Sequence, residues 1–230
     1  MRLDRFLIRR GGHSCKEIKN LLASGHVTVD GHVETCGLCE ISRFTHIALG
    51  GETLQDHAAI YFMLHKPAGF LSATTDPQHP TVMELISHSL RGELHLAGRL
   101  DRASTGLLLL TNDGRWSRKV TEPEQEIPKT YRVTTRDPIA SGTSARFTNG
   151  IYFAYEDLTT RPAHLEILTP HEALLTIYEG RYHQVKRMFH ACGNQVLSLH
   201  RESIGPLLLD PQLAPGASRA LTPAEISMFI

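Results

Sequence analysis

The sequence predicts an α+β chain of two domains. The smaller spans residues 1–57 and is built from two helices and a β-hairpin; the larger spans 58–230 and is built around buried strands. Three observations carry this. First, Leu3, Phe6 and Leu7, then Ile18, Leu21 and Leu22, recur at helical spacing, and Val27 and Val29 alternate with polar residues ahead of Asp30-Gly31. Second, Leu107 to Leu110 form an unbroken apolar run between Gly106 and Asn112-Asp113-Gly114, too short for a helix and fit for a strand buried on both faces. Third, Gly50-Gly51 and the polar stretch Glu52 to His57 separate the two patterns.

Composition narrows the class. Charged residues at 21% and hydrophobic ones at 41% suit a water-soluble globular chain. No apolar run approaches the roughly 18 residues of a membrane span, and Met1 to Phe6 hold no apolar h-region, so a cytoplasmic protein without a membrane partner is expected. Cys36-Gly37-Leu38-Cys39 lacks a second nearby pair, which leaves free thiols and no metal as the expectation. The net charge of zero argues against an unspecific polyanion binder. Its distribution is uneven, however: residues 1–20 carry six Lys/Arg against two acids, and 181–201 carry four with no acid. Two basic segments suggest a nucleic-acid footprint assembled from separate places.

Taken in order, the first helix ends at Gly11-Gly12, and Ser14 with Glu17 three residues on supplies a capping box for the second. Gly25 stops that helix, and Val27-Thr28-Val29-Asp30-Gly31 turns a hairpin. This order, with Arg2, Arg5, Arg9, Lys16 and Lys19 on exposed faces, resembles the S4 RNA-binding domain, which holds shaped RNA through its phosphates. Ile60 to Leu64 then opens a strand ending in the turn Lys66-Pro67-Ala68-Gly69, where Lys66 either touches RNA phosphate or supports the loop. A helix is expected to open at Thr81 to Ile86, and a basic one at Arg115 to Val120. Lys129-Thr130-Tyr131-Arg132-Val133 begins another strand, residues 137–170 read as a peripheral insertion, and Leu174 to Ile177 reads as a strand again. It leads into Gly180-Arg181-Tyr182-His183-Gln184-Val185-Lys186-Arg187, a turn and a helix with Val185, Met188 and Phe189 inward.

Asp101 falls in the loop before the leucine strand, in Gly98-Arg99-Leu100-Asp101 followed by Ser104-Thr105-Gly106. A carboxylate anchored there suits a nucleophile; paired with Arg99 or Arg102 it would be an ordinary surface ion pair. The order of residues resembles the catalytic motif of the pseudouridine synthases, and the Gly-Arg-Leu-Asp form resembles their RsuA branch, which modifies ribosomal RNA. Lys66-Pro-x-Gly, Lys129-Thr-Tyr and Gly-Arg-x-His-Gln-Val resemble the family's other motifs, so the likeness spans nearly the whole chain.

The resemblance implies a mixed, mainly antiparallel sheet with a central RNA-binding cleft. It also implies Asp101 as nucleophile, Tyr131 stacked on the target uracil, and Lys186 facing Asp101 where many relatives carry Arg. Arg99, Lys66, Arg181, His183, Gln184 and Arg187 are the implied RNA contacts, Arg99 filling the space left by a flipped base. No cofactor is implied, and no phosphate-binding loop, dinucleotide fingerprint or metal-binding helix is found. The block from Glu179 to Met188 looks most like the small-subunit member. The expected substrate is therefore 16S ribosomal RNA or an assembling small-subunit particle, met by a monomer. A 23S-directed sister enzyme and a non-catalytic S4-type assembly factor are the alternatives.

Overall fold

The computed structural model describes residues 1–229, so Ile230, the last position of the expected larger domain, lies outside the described residues. The chain divides into two compact units, Met1–Ala59 and the remainder from Ile60.

In the first unit, α1 (Leu3–Gly11) and α2 (Cys15–Ala23) precede a sheet of β1 (Val27–Val29), β2 (His32–Val33), β3 (Ile47–Leu49) and β4 (Glu52–Gln55), in the order β2-β1-β3-β4. Leu3 and Leu7 of α1, Ile18 and Leu22 of α2, and Val27, Ile41 and Ile47 make its core. Ser14 and Glu17 form both halves of the capping box. Asp30 and Gly31 turn the first hairpin with positive φ at both positions, the geometry that matches strand twist. Helix α1 ends at the expected Gly11-Gly12, with Gly12 left-handed at φ 66°. One expectation is corrected. Gly50-Gly51 is a second two-residue hairpin turn, joining β3 to β4 inside this unit, and not a boundary. A Gly-Gly pair serves a linker and a tight turn equally well, which is why its sequence misleads.

The second unit contains β5 (Tyr61–Lys66), β6 (His95–Ala97), β7 (Thr105–Thr111), α3 (Gly114–Thr121), β8 (Lys129–Thr135), α4 (Thr143–Thr148), β9 (Tyr152–Phe153), β10 (Leu158–Thr159), β11 (His164–Thr169) and β12 (Glu172–Ile177). Then follow α5 (Gln184–Ala191), β13 (Val196–Ile204), β14 (Leu207–Leu208), β15 (Ser218–Ala220) and α6 (Pro223–Ser227). Nine of these strands among the described residues form a mixed sheet, β11-β12-β8-β13-β7-β5-β15, with β14 on β13 and β6 on β7. Its β13–β7 pairing is parallel; its other pairings are antiparallel.

Strand β7 is covered on both faces. Leu107 and Leu109 pack with Met63, Trp116 and Val120, while Leu108 and Leu110 pack with Leu64, Val82, Met83 and Ile86. The expected helix at 81–86 is a single 3-10 turn, Val82–Leu85, capped by Thr81 and Glu84. Residues 137–170 are not peripheral. Strand β11 extends the main sheet, and Ile139, Phe147, Ile151 and Phe153 share a core with Tyr131, Val185, Met188 and Phe189. That segment therefore supports the underside of α5, the helix that carries Lys186.

Candidate active site

Asp101 lies in the loop between β6 and β7, and the backbone of that loop is pinned from several sides. The Leu100 N–H donates to Ser72 Oγ at 3.0 Å, and the Ser72 hydroxyl donates to the Leu100 carbonyl at 2.7 Å. Arg102 Nε donates to the Gly69 carbonyl at 3.0 Å, and the Gly69 N–H donates back to the Arg102 carbonyl at 2.8 Å. Lys66, fully buried at the end of β5, donates to the carbonyls of Pro67, Arg102 and Ser104 at 3.0, 3.3 and 2.8 Å. All three ammonium hydrogens have acceptors, so of the two expected uses of Lys66, phosphate contact or support of the Asp101 loop, its contacts favour the second. Burial pushes its pKa down to about 8, against the attraction of Asp101.

The Asp101 carboxylate faces α5. Lys186 Nζ stands 3.0 Å from Oδ2 and His183 Nε2 stands 3.5 Å from Oδ1. Neither Arg99 nor Arg102 forms an ion pair with it among the described residues, so the surface-pair alternative fails. The carboxylate remains about a quarter exposed, open to a reacting atom. His183 precedes α5 in the left-handed region, φ 49°, an uncommon conformation for a non-glycine residue that clusters at functional sites. The turn holding it is organised by Glu179, 3% exposed, whose carboxylate accepts from the Arg161 N–H, Arg181 Nε and Gln184 Nε2, each at 2.8–2.9 Å.

Two expected RNA contacts on this segment are corrected as well. Gln184 is buried, with its amide nitrogen on Glu179 and its carbonyl oxygen accepting from the Arg181 N–H at 3.0 Å. Arg187 is bound bidentately by Glu156, and its guanidinium lies 3.7 Å over the Phe153 ring. Both side chains hold α5 in place. Arg99 and Arg181 remain exposed, Arg181 also paired with Glu179.

Tyr131 lies on β8, 7% exposed, with neighbours Leu175 on β12 and Arg201 on β13. With Asp101, Ser104, Ile177 and Val185 it lines a pocket of about 80 Å³. This opens toward a cavity of about 590 Å³ lined by Leu71, Asp76, Arg99, Arg102, Arg181 and Tyr182.

Sequence reasoning missed Arg201, counting it with the basic surface. It is 4% exposed beneath the site, donating to the carbonyls of Leu107 at 2.7 Å and Arg99 at 3.3 Å and to the Tyr131 hydroxyl at 3.4 Å. It thus ties the Asp101 loop, the leucine strand and the tyrosine together. The signal was there in Leu199, Arg201 and Ser203, alternate residues on the inward side of β13. Lys129 was also missed: it is 9% exposed on the same face of β8 as Tyr131, and burial with the nearby Arg201 charge pushes its pKa down to about 8.

Of the basic residues expected in the first unit, Arg5, Arg9, Lys16 and Lys19 are exposed, and Arg2 is paired with Asp4. Among the described residues no group of three or more His, Cys, Asp or Glu side chains is placed to hold a metal ion, and no helix is long and apolar enough to cross a membrane.

Comparisons with known proteins converge on this arrangement. The family model for RNA pseudouridylate synthase matches residues 60–191. The ribosomal small subunit pseudouridine synthase A of Pseudomonas aeruginosa is 51% identical over 227 residues, covering 98% of this chain and 99% of that protein. The protein of the same name from Escherichia coli is 44% identical over 231 residues, covering both chains fully. A solved pseudouridylate synthase aligns over the whole of both chains with a TM-score of 0.73 and 41% identity.

Proposed function

From the membership of this chain in the RNA pseudouridylate synthase family, we propose that it converts a specific uridine of 16S ribosomal RNA to pseudouridine, with Asp101 as nucleophile on a flipped-out base. The observation that carries the reading is the Asp101 carboxylate, held 3.0 Å from Lys186 at the mouth of a pocket floored by Tyr131. The reaction is an isomerisation. The C1′–N1 glycosidic bond breaks, the base rotates, C5 bonds to C1′, C5 gives up its proton and N1 gains one. A nucleophilic carboxylate can hold the detached fragment through that rotation. Lys186 orients it and balances its charge, as a point charge where an arginine would make a fork. The stacked target base is out of reach, so it must leave the helix, and Arg99 at the mouth is suited to stack in its place.

The small-subunit target is supported by relatives whose names carry it and whose identity runs the full length of the chain. The unit Met1–Ala59, with its helix–helix–hairpin order and exposed Arg5, Arg9, Lys16 and Lys19, serves as an S4-type docking unit for RNA phosphates. The enzyme acts in the cytoplasm as a monomer, on free RNA or on an assembling small-subunit particle. Mapping pseudouridines in both ribosomal RNAs of cells lacking the gene tests the assignment. One missing 16S site, restored by this chain, is expected; loss only from 23S RNA would move the assignment to the sister activity, and no loss would contradict it.

A further inference from the structure

The pocket lined by Asp101 and Tyr131 takes up only about 80 Å³ of the space beside that carboxylate. The adjoining cavity of about 590 Å³ shares Arg99, Leu100, Asp101, Gly180, Arg181 and His183 with it, and its size is that of a ligand site, roughly 300–1,000 Å³. On its wall Tyr182 is 75% exposed, yet its ring is ordered by stacking on the His183 imidazole, with centroids 3.9 Å apart and planes within 19°. His183 in turn touches Asp101. The cavity thus holds an aromatic plate with one face supported by His183, the residue that meets Asp101, and the other open. Three exposed guanidinium-bearing residues, Arg99, Arg102 and Arg181, line the same cavity against the carboxylates of Asp76 and Asp101. An open aromatic face beside guanidinium groups is the chemistry that holds a single-stranded nucleotide, the ring taking the base and the cations the phosphate.

We propose that Tyr182, backed by His183, is the stacking platform for the base of the nucleotide adjacent to the target uridine. The inference rests on the RNA-modifying reading and adds to it a second base subsite outside the catalytic pocket. Stacking tolerates any base and favours those with larger rings, so a purine neighbour is preferred. The platform acts on binding of the substrate strand and not on bond breaking.

The test uses the full-length protein and short RNAs containing the target uridine, with an abasic nucleotide substituted on its 5′ or its 3′ side. Affinity is measured by equilibrium binding and rate by single turnover at saturating RNA. Tyr182→Ala is expected to weaken binding about tenfold, Tyr182→Phe to restore it, and the saturated rate to stay within about twofold. One of the two abasic RNAs should cost the wild type the same factor and Tyr182→Ala nothing further, the signature of coupled groups. Unchanged binding by Tyr182→Ala, or independent multiplication of the two losses, overturns the subsite. Wild-type protein that binds these RNAs but isomerises no uridine contradicts the functional reading instead, and the binding cycle still decides the subsite.

Discussion

Lys186 has two conceivable uses, and a single substitution separates them. Its ammonium lies on Asp101, so Lys186→Met should lower the single-turnover rate at saturating RNA by about a hundredfold or more while affinity across a salt series is unchanged. A phosphate-binding lysine would do the reverse, flattening the salt slope by about one unit. Lys66 and Lys129 make a second prediction. Both are pushed down to about 8 in the folded protein from 10.5. The unfolded chain therefore holds more protons than the native one above pH 8, and stability rises with pH through the window from about 8 toward 10.5. Urea midpoints should climb between about pH 7.5 and 9.5, below the point near 10 where ionisation of the unfolded Tyr61 phenol, pushed up to about 12 in the fold, begins to oppose the trend, and Lys129→Met should reduce the climb. At this scale the family resemblance, and not residue type or spacing, named Asp101, Tyr131 and Lys186, and the fold sets Lys186 against Asp101 and lines one pocket with Asp101 and Tyr131. Gln184 and Arg187 were expected on RNA because their partners are distant: nothing in the residue type says that Arg187 will meet Glu156, and the two open readings of Lys66 could not be separated without the three carbonyls it meets.

The parallel crossing of β13 against β7 sets the floor of the site. Arg201 pairs with Gly106 there, and Gly106 has φ 108°. A Cβ at Gly106 would sit 2.3 Å from the Arg201 carbonyl oxygen and 2.5 Å from its nitrogen. Both the backbone conformation and the space demand glycine. Gly106→Ala should cost about 2 kcal/mol or more in denaturant unfolding, by overpacking and strain together, and should lower turnover because Arg201 and the Asp101 loop shift with the strand. Unchanged stability would mean that the two strands are not in this register. The leucine strand itself was legible, its four apolar residues packing alternately into two cores. The 137–170 segment was not, because α4, β9 and β10 are each too short to show a period, and β11 is buried mainly at Leu165.

At the scale of the whole molecule, each unit has its own core, and the charge that suits RNA is concentrated in local segments of a chain with no net charge. Removing residues 1–59 should leave the remainder cooperatively folded while weakening RNA affinity and reducing its dependence on salt. Equal affinity for the shortened and complete chains at moderate salt would remove the docking role from the first unit. The boundary expected after residue 57 falls close to the division of the chain after Ala59; the strands β3 and β4, which complete the first unit's sheet, were not legible, because Gly50-Gly51 suits a boundary as well as a turn. Isomerisation of uridine through the Asp101 carboxylate is decided by single-turnover conversion of uridine to pseudouridine in 16S RNA by wild type and by Asp101→Asn, the variant verified by mass to be free of deamidation. Conversion by the wild type and none detectable by Asp101→Asn is expected at equal RNA occupancy; conversion by the variant at the wild-type rate would take the nucleophile's role away from Asp101.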